Sequence, residues 1–416
     1  MSRPVAPHPA LRTRACELFG VEYPIVQTGM GYVSDAVLTA ATAEAGGLGI
    51  LSAGLLGLFE LEQAVAAVRS ATDRPFGVNL RADQPDVERR IDVLIRNGVK
   101  VASFALAPRR ELVERCKEGG LVVVPSVGAR RHAEKVAAWG ADAVIVQGGE
   151  GGGHTGPVPT SLLLPQVVDA VDIPVVAAGG YFDGRGLVSA LAYGADGIAM
   201  GTRFLLTSDS PVAQRVKEAY LATTVTDTVL TLQIDGIPQR VLRTGTVERL
   251  ESGTATGRML RAVRNAVAFR DLSGTPWPAL VREGLAMRKA HGLTWSQVVM
   301  AANAPMLYRA ALLEGRTDMG VMATGQVVGL IDDLPSCAEL IARIVASADE
   351  VLVRLGSPNG SDERAPAGVH GLGHPDGSEG RAPESSDGRD TTAHTGTTTP
   401  PRGEEHGCPH RTNVQK

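Results

Sequence analysis

Between Tyr23 and Thr202, short unbroken apolar runs alternate with longer stretches in which apolar residues recur at helical spacing. The runs are YPIVQTG, LGILSAG, FGVNL, VASFAL, LVVVPSV, AVIVQG, PVVAAGG and GIAMGT. Continuous rather than alternating hydrophobicity is what a strand covered on both faces needs, and the amphipathic stretches supply the crossovers of a parallel sheet. Eight such units within about 180 residues predict an α/β fold, a (β/α)8 TIM barrel in preference to the open doubly wound sheet that shares the alternation.

Gly46, Gly98, Gly119, Gly140 and Gly194 each follow a periodic apolar segment and precede a strand, as left-handed glycines closing helices do. WGADAVIV at 139–146 and YGADGIAM at 193–200 are one helix stop and strand start used twice, a weak internal repeat. The barrel is expected to occupy residues 1–210. Over 211–312 the alternation lapses. TVLTLQIDG and IPQRVLRT predict a hairpin, followed by mostly helical sequence, a smaller covering α+β insertion at the barrel mouth. Residues 313–356 regain helical character, with SCAELIARIVASADEVLVRL as a long amphipathic helix returning to the barrel wall. Residues 357–416 are rich in Gly, Ser, Thr, Pro, Asp, Glu and His with almost no aliphatics, so a disordered tail is expected there. Its His406, Cys408 and His410 are read as solvated rather than as a metal site.

Composition narrows the function classes. A 416-residue chain that is 44% hydrophobic can bury a large core. A net charge of -4 and 4% aromatic content suggest neither a basic groove nor a stacking platform, so nucleic acid is not an expected partner. Cys16, Cys116, Cys337 and Cys408 are scattered without a CxxC pair, as reduced cytoplasmic thiols are. No apolar run approaches membrane-spanning length. The patterns GxxxxGK[ST], HExxH and a helix-opening GxGxxG after the first strand are all missing, which removes support for phosphoryl transfer, zinc hydrolysis and a Rossmann dinucleotide site.

Candidate chemistry concentrates in VIVQGGEGGGHTG, Val144 to Gly156, where a strand opens into six glycines that bracket Glu150 and surround His154. So many glycines imply close approach of backbone to a ligand, or positive φ. Glycine recurs at two further strand ends, AAGG at 177–180 and AMGT at 199–202, giving three backbone-donor loops side by side. Barrels of this type often hold a phosphate after strands seven and eight, so Gly179, Gly180, Gly201 and Thr202 predict a cofactor-phosphate site; tight turns alone are the competing reading. A flavin ring held from there would pass Gly29 and Met30 on strand one, Asn79 on strand three and Gln147, whose amides suit a donor and acceptor ring edge. Strand-end capping explains those two amides equally well. His154, the histidine of this glycine loop, suits proton transfer beside a redox cofactor, although a loop-holding hydrogen bond is as common a use. Glu150 is read as fixing the loop.

At these residues the chain resembles the nitronate monooxygenase family of FMN-dependent barrels, which includes the FMN-dependent enoyl-acyl-carrier-protein reductases. The resemblance covers about Leu18 to Leu355, and is carried by QTGM with SDAVLTAATAEAGGLGIL, PFGVNL, VQGGEGGGHTG, AAGGYFDGRGLVSALAYGADGIAMGTRFLLTSDS and GQVVGLIDD. It implies FMN held at Asn79, Gln147, Gly152, Gly180 and the run Ala199, Met200, Gly201, Thr202, with His154 at the catalytic-base position. Gly29 stands where many nitronate oxidisers carry proline. Together with VASFALAP and LTWSQVVMAANAPML it is similar to an actinobacterial branch that dehydrogenates a bicyclic C/D-ring acyl-CoA in steroid breakdown.

What this implies is an FMN oxidoreductase that introduces a C=C bond into an acyl-CoA. Its partners are the acyl-CoA and an electron acceptor the sequence does not identify, with a homo-oligomer left open. Arg81, Arg130, Arg131, Arg240 and Arg243 are candidates for CoA phosphates, against the plainer reading of surface arginine. The rivals are a nitronate monooxygenase using oxygen, an enoyl-thioester reductase working in reverse, and a non-catalytic flavin-binding module.

Overall fold

In the computed structural model, residues 7–105, 107–252, 295–318 and 320–356 are described. The expected tail at 357–416 and most of the helical half of the covering region lie outside them. Eight parallel strands close a barrel: β1 (Ile25–Gln27), β2 (Leu48–Ser52), β3 (Gly77–Leu80), β4 (Val101–Phe104), β5 (Val122–Val127), β6 (Val144–Gln147), β8 (Val175–Ala178) and β9 (Gly197–Met200). Closure is made by β1 against β9, with Ile25 opposite Ile198 and Gln27 opposite Met200. All eight apolar runs are therefore strands of one barrel. A short β7 (Gly153–His154), inside the glycine loop, belongs to a separate sheet.

Adjacent strand residues face two different cores, and both are apolar. Val26, Ile50, Val124, Ile145, Val176 and Ala199 join one cluster, which also takes in Ala15 and Phe19 of the first helix, α1 (Arg14–Phe19). Their neighbours Ile25, Val144, Val146, Ala177 and Ile198 pack in another cluster with helix residues such as Leu163, Leu187 and Ile341. This double coverage is why the strands read as unbroken apolar runs. Each fully buried aliphatic side chain contributes about 1.5–3 kcal/mol of transfer free energy.

The crossovers are α2 (Ala36–Glu44), α3 (Leu58–Ala71), α4 (Val87–Arg96), α5 (Arg110–Glu118), α6 (Arg130–Ala138), α7 (Thr160–Val168) and α8 (Gly184–Ala192). The WGAD and YGAD repeats have a shared cause. Asp142 accepts a hydrogen bond from the N–H of Val123 at 2.8 Å, and Asp196 accepts from Val175 at 3.0 Å. Each aspartate thus pins the start of the preceding barrel strand.

Four of the five helix-stop glycines have positive φ: Gly46, Gly98, Gly140 and Gly194. Gly119 does not. Its φ is -82°, and the left-handed residue is Gly120 at 76°. Gly119 answers to packing instead, because a Cβ there would lie 2.2 Å from Ile95 Cδ1.

After β9 come α9 (Thr202–Leu205), α10 (Gln214–Leu221), β10 (Thr228–Thr231), β11 (Gln239–Leu242), α11 (Gly245–Ser252) and α12 (Trp295–Leu312). The expected hairpin is present: β10 and β11 pair antiparallel, and β11 then pairs with β7. The last helix among the described residues, α13 (Cys337–Gly356), packs against α8 and α2. Cys16, Cys116 and Cys337 are buried free thiols, with burial pushing Cys116 and Cys337 up to about 12. Among the described residues, no helix is long and apolar enough to cross a membrane.

Candidate active site

The barrel order places β6, β8 and β9 side by side, so the three glycine-bearing loops at their carboxyl ends are neighbours. The loop after β6 is held at several points. Glu150 Oε2 accepts from the N–H of Thr160 at 2.9 Å and from its hydroxyl at 2.7 Å, capping the first turn of α7. This is the loop-fixing role expected of Glu150. The Glu150 carbonyl accepts from the N–H of Gln326 at 2.9 Å. A Cβ on residue 152 would lie 2.5 Å from the carbonyl carbon of Thr324, so only glycine lets the 324–326 backbone pass this close. Gln147 Nε2 donates to the carbonyls of Gly152 (3.2 Å) and His154 (2.9 Å), so its amide nitrogen braces its own loop.

The covering hairpin grips the loop from above. Gly153 and His154 pair with Arg240 and Gln239, and the Arg240 guanidinium donates to the Gly149 carbonyl at 2.9 and 3.1 Å. Burial depresses the Arg240 pKa, with Glu150 acting in the opposite sense. Arg240 is thereby committed inside the protein rather than offered to a phosphate. Arg81 forms a two-point ion pair with Asp83, and Arg130 pairs with Glu134 along α6.

His154 Nε2 lies 2.7 Å from Asp235 Oδ2. The His154 side chain is 55% exposed whereas that of Asp235 is 11% exposed, so the pair presents its imidazole outward and hides its carboxylate. Gln239 Nε2 donates to the same Asp235 oxygen and stands 3.0 Å from His154 Nε2. The Tyr308 hydroxyl on α12 donates to Gln239 Oε1. Burial alone would raise the Asp235 carboxyl, but the hydrogen bond and charge of His154, aided by Gln239 and the N–H of Ile237, leave it below the usual carboxylate range.

Asp235, Gln239 and Tyr308 were not expected from sequence. Asp235-Gly236 reads as the turn of a hairpin, and nothing local separates a turn aspartate from one aimed at a histidine 81 positions away.

At the other two strand ends, Gly179 and Gly180 both take positive φ, 100° and 83°. The N–H groups of Gly180, Gly201 and Thr202 meet no protein acceptor among the described residues. The Thr202 hydroxyl accepts from the N–H of Gly325 at 3.0 Å, which leaves its own proton to donate. Ala199 and Met200 are 2% exposed, which leaves only backbone for any ligand. On the opposite side, Asn79 Nδ2 donates to Ser103 Oγ at 3.2 Å, and a Cβ on residue 29 would fall 2.3 Å from Asn79 Cβ. Met30 Sδ sits 3.3 Å from where a Cβ on residue 201 would be, tying strand one to the loop after β9.

A family model described as nitronate monooxygenase matches residues 12–89 and 86–347, well over half of the chain. The chain belongs to the nitronate monooxygenase family. It is 60% identical over 341 residues to (3aS,4S,5R,7aS)-5-hydroxy-7a-methyl-1-oxo-octahydro-1H-indene-4-carboxyl-CoA dehydrogenase of Mycobacterium tuberculosis, covering 81% of this chain and 96% of that protein. It is 58% identical over 348 residues to the enzyme of the same name from Rhodococcus jostii, covering 83% and 98%. Among solved structures, FabK from Thermotoga maritima matches with a TM-score of 0.68 and 33% identity over 83% of this chain and 98% of that one.

Proposed function

We propose that this chain is an FMN-dependent dehydrogenase of steroid degradation, acting on 5-hydroxy-7a-methyl-1-oxo-octahydroindene-4-carboxyl-CoA. It introduces a C=C double bond into the ring. The carrying observation is the 60% identity to a dehydrogenase of that named substrate across 96% of its length. We place the enzyme in the cytoplasm, where its scattered cysteines stay reduced.

The residues present suit FMN. Two consecutive left-handed glycines, with the free N–H groups of Gly180, Gly201 and Thr202, make a backbone cradle for a phosphate. Gly29 and Met30, Asn79 and the backbone of Gly152 would border the ring, and Gln147 would act by bracing the loop. FMN supplies a two-electron acceptor for the hydride that leaves the substrate β-carbon.

The protein supplies the rest. A thioester acidifies the adjacent α C–H, and His154 takes that proton as general base. Loss of one proton and one hydride leaves an α,β-unsaturated thioester, so atoms and charge balance. Residues 1–210 carry the cofactor cradle, 211–312 the substrate-side cover, and 313–356 return to the barrel.

The test is product analysis by mass spectrometry after incubation with the hydroxy acyl-CoA and an artificial electron acceptor. A thioester lighter by two hydrogens is expected, falling about 10²–10⁴-fold in rate for a His154→Ala protein that retains flavin. Turnover of an alkyl nitronate with oxygen, and none of the thioester, would replace this reading with the nitronate monooxygenase one.

A further inference from the structure

We infer that Asp235, held in place by Gln239 and Tyr308, is the positioning residue that fixes His154 as its Nε2–H tautomer and leaves Nδ1 as the atom that takes the substrate proton. The inference rests on the reading of His154 as the base. It follows from which atoms can carry hydrogens.

A carboxylate oxygen 2.7 Å from Nε2 is a strong hydrogen bond if that nitrogen bears a proton, and a repulsion between lone pairs if it does not. Asp235 also accepts from the Gln239 NH2 on Oδ2 and from the N–H of Ile237 on Oδ1, an all-donor surrounding that suits the ionised carboxylate. Nε2 is therefore the donor. Gln239 has to point its NH2 at Asp235 for the same reason, and the Tyr308 hydroxyl, which can donate or accept, then donates to the oxygen at the other end of the amide. The N–H of Ile237 fills the second carboxylate oxygen at 3.1 Å. Nδ1 meets no protein donor or acceptor among the described residues and belongs to a half-exposed ring. The backbone of His154 is fixed independently by its pairing with Gln239 and by Gln147 on its carbonyl, so what remains to be set is the side chain's two torsions, and the bond to Asp235 anchors its far end.

Gln239 makes the consequence of removing Asp235 specific. Its NH2 already stands 3.0 Å from His154 Nε2. With the carboxylate gone, that NH2 donates to Nε2, which must then be the unprotonated nitrogen, and the proton moves to Nδ1. An Asp235→Ala protein would thus carry the wrong tautomer in an otherwise intact site.

The experiment is a nitrogen-15 NMR pH series on the imidazoles of the flavin-loaded full-length protein, read on the neutral ring, which shows which nitrogen is protonated. The His154 signal is assigned by its loss in His154→Ala. Wild type is expected to show Nε2–H, and Asp235→Ala to show Nδ1–H with kcat lowered about 10²-fold or more and little change in KM or flavin content. Nδ1–H in wild type overturns the inference whatever the activity, and that measurement needs no variant to fold. An unchanged tautomer in Asp235→Ala also overturns it. If wild type shows Nε2–H but leaves the thioester untouched, the substrate assignment has failed and the tautomer assignment stands.

Discussion

Gly152 and Thr324 approach so closely that a Cβ on the first would overlap the carbonyl carbon of the second at 2.5 Å. The glycine loop after β6 and the 324–326 segment are therefore one packed unit, although 172 positions apart in the chain. Gly152→Ala must push one backbone off the other. A loss of about 1–3 kcal/mol in unfolding free energy is expected, with flavin content reduced far more than helical circular dichroism. Full flavin occupancy in that variant would show that the loop does not shape the cofactor site.

Gly29 stands in the same relation to Asn79. A methyl at position 29 would sit 2.3 Å from Asn79 Cβ, and relieving that clash moves the amide off Ser103. Gly29→Ala is expected to weaken flavin binding about 10-fold, the equivalent of one good hydrogen bond, as read by fluorescence titration. An unchanged dissociation constant would remove Asn79 from the cofactor site.

Glu150 has a structural task that can be separated from chemistry. Glu150→Ala removes the cap on α7 and should cost about 1 kcal/mol of stability in denaturant titration. Glu150→Gln, which still offers an oxygen to Thr160, should lose less. If both variants kept full stability but lost turnover, Glu150 would belong to the reaction instead.

The Asp235 carboxyl lies below the usual carboxylate range in the folded protein. A depressed folded value means that its contribution to stability is complete above the unfolded value and disappears as pH falls through the folded one. The melting-temperature advantage of wild type over Asp235→Ala should therefore shrink as pH drops below about 4. An advantage that grew in that range would contradict the pairing with His154.

The barrel was legible because its strands, apolar on both faces, carry a local signal, and because the turns between units use aspartate and glycine in ways a short window reveals. Gly119 misled because two glycines stand together: the helix needed one for close packing on Ile95 and the next for its left-handed turn, and composition does not say which is which. The glycine loop and His154 could be found as a cluster. Asp235, Gln239 and Tyr308 could not, since each looks locally like an ordinary turn, strand or helix residue and gains its role only when the hairpin folds over β6.

The most direct measurement mixes the purified flavin-loaded protein, without oxygen, with the bicyclic hydroxy acyl-CoA while oxidised-flavin absorbance is followed. Bleaching in step with the appearance of one equivalent of unsaturated thioester is the predicted result. Flavin that stays oxidised with the thioester, yet bleaches with an alkyl nitronate, would contradict the assigned reaction.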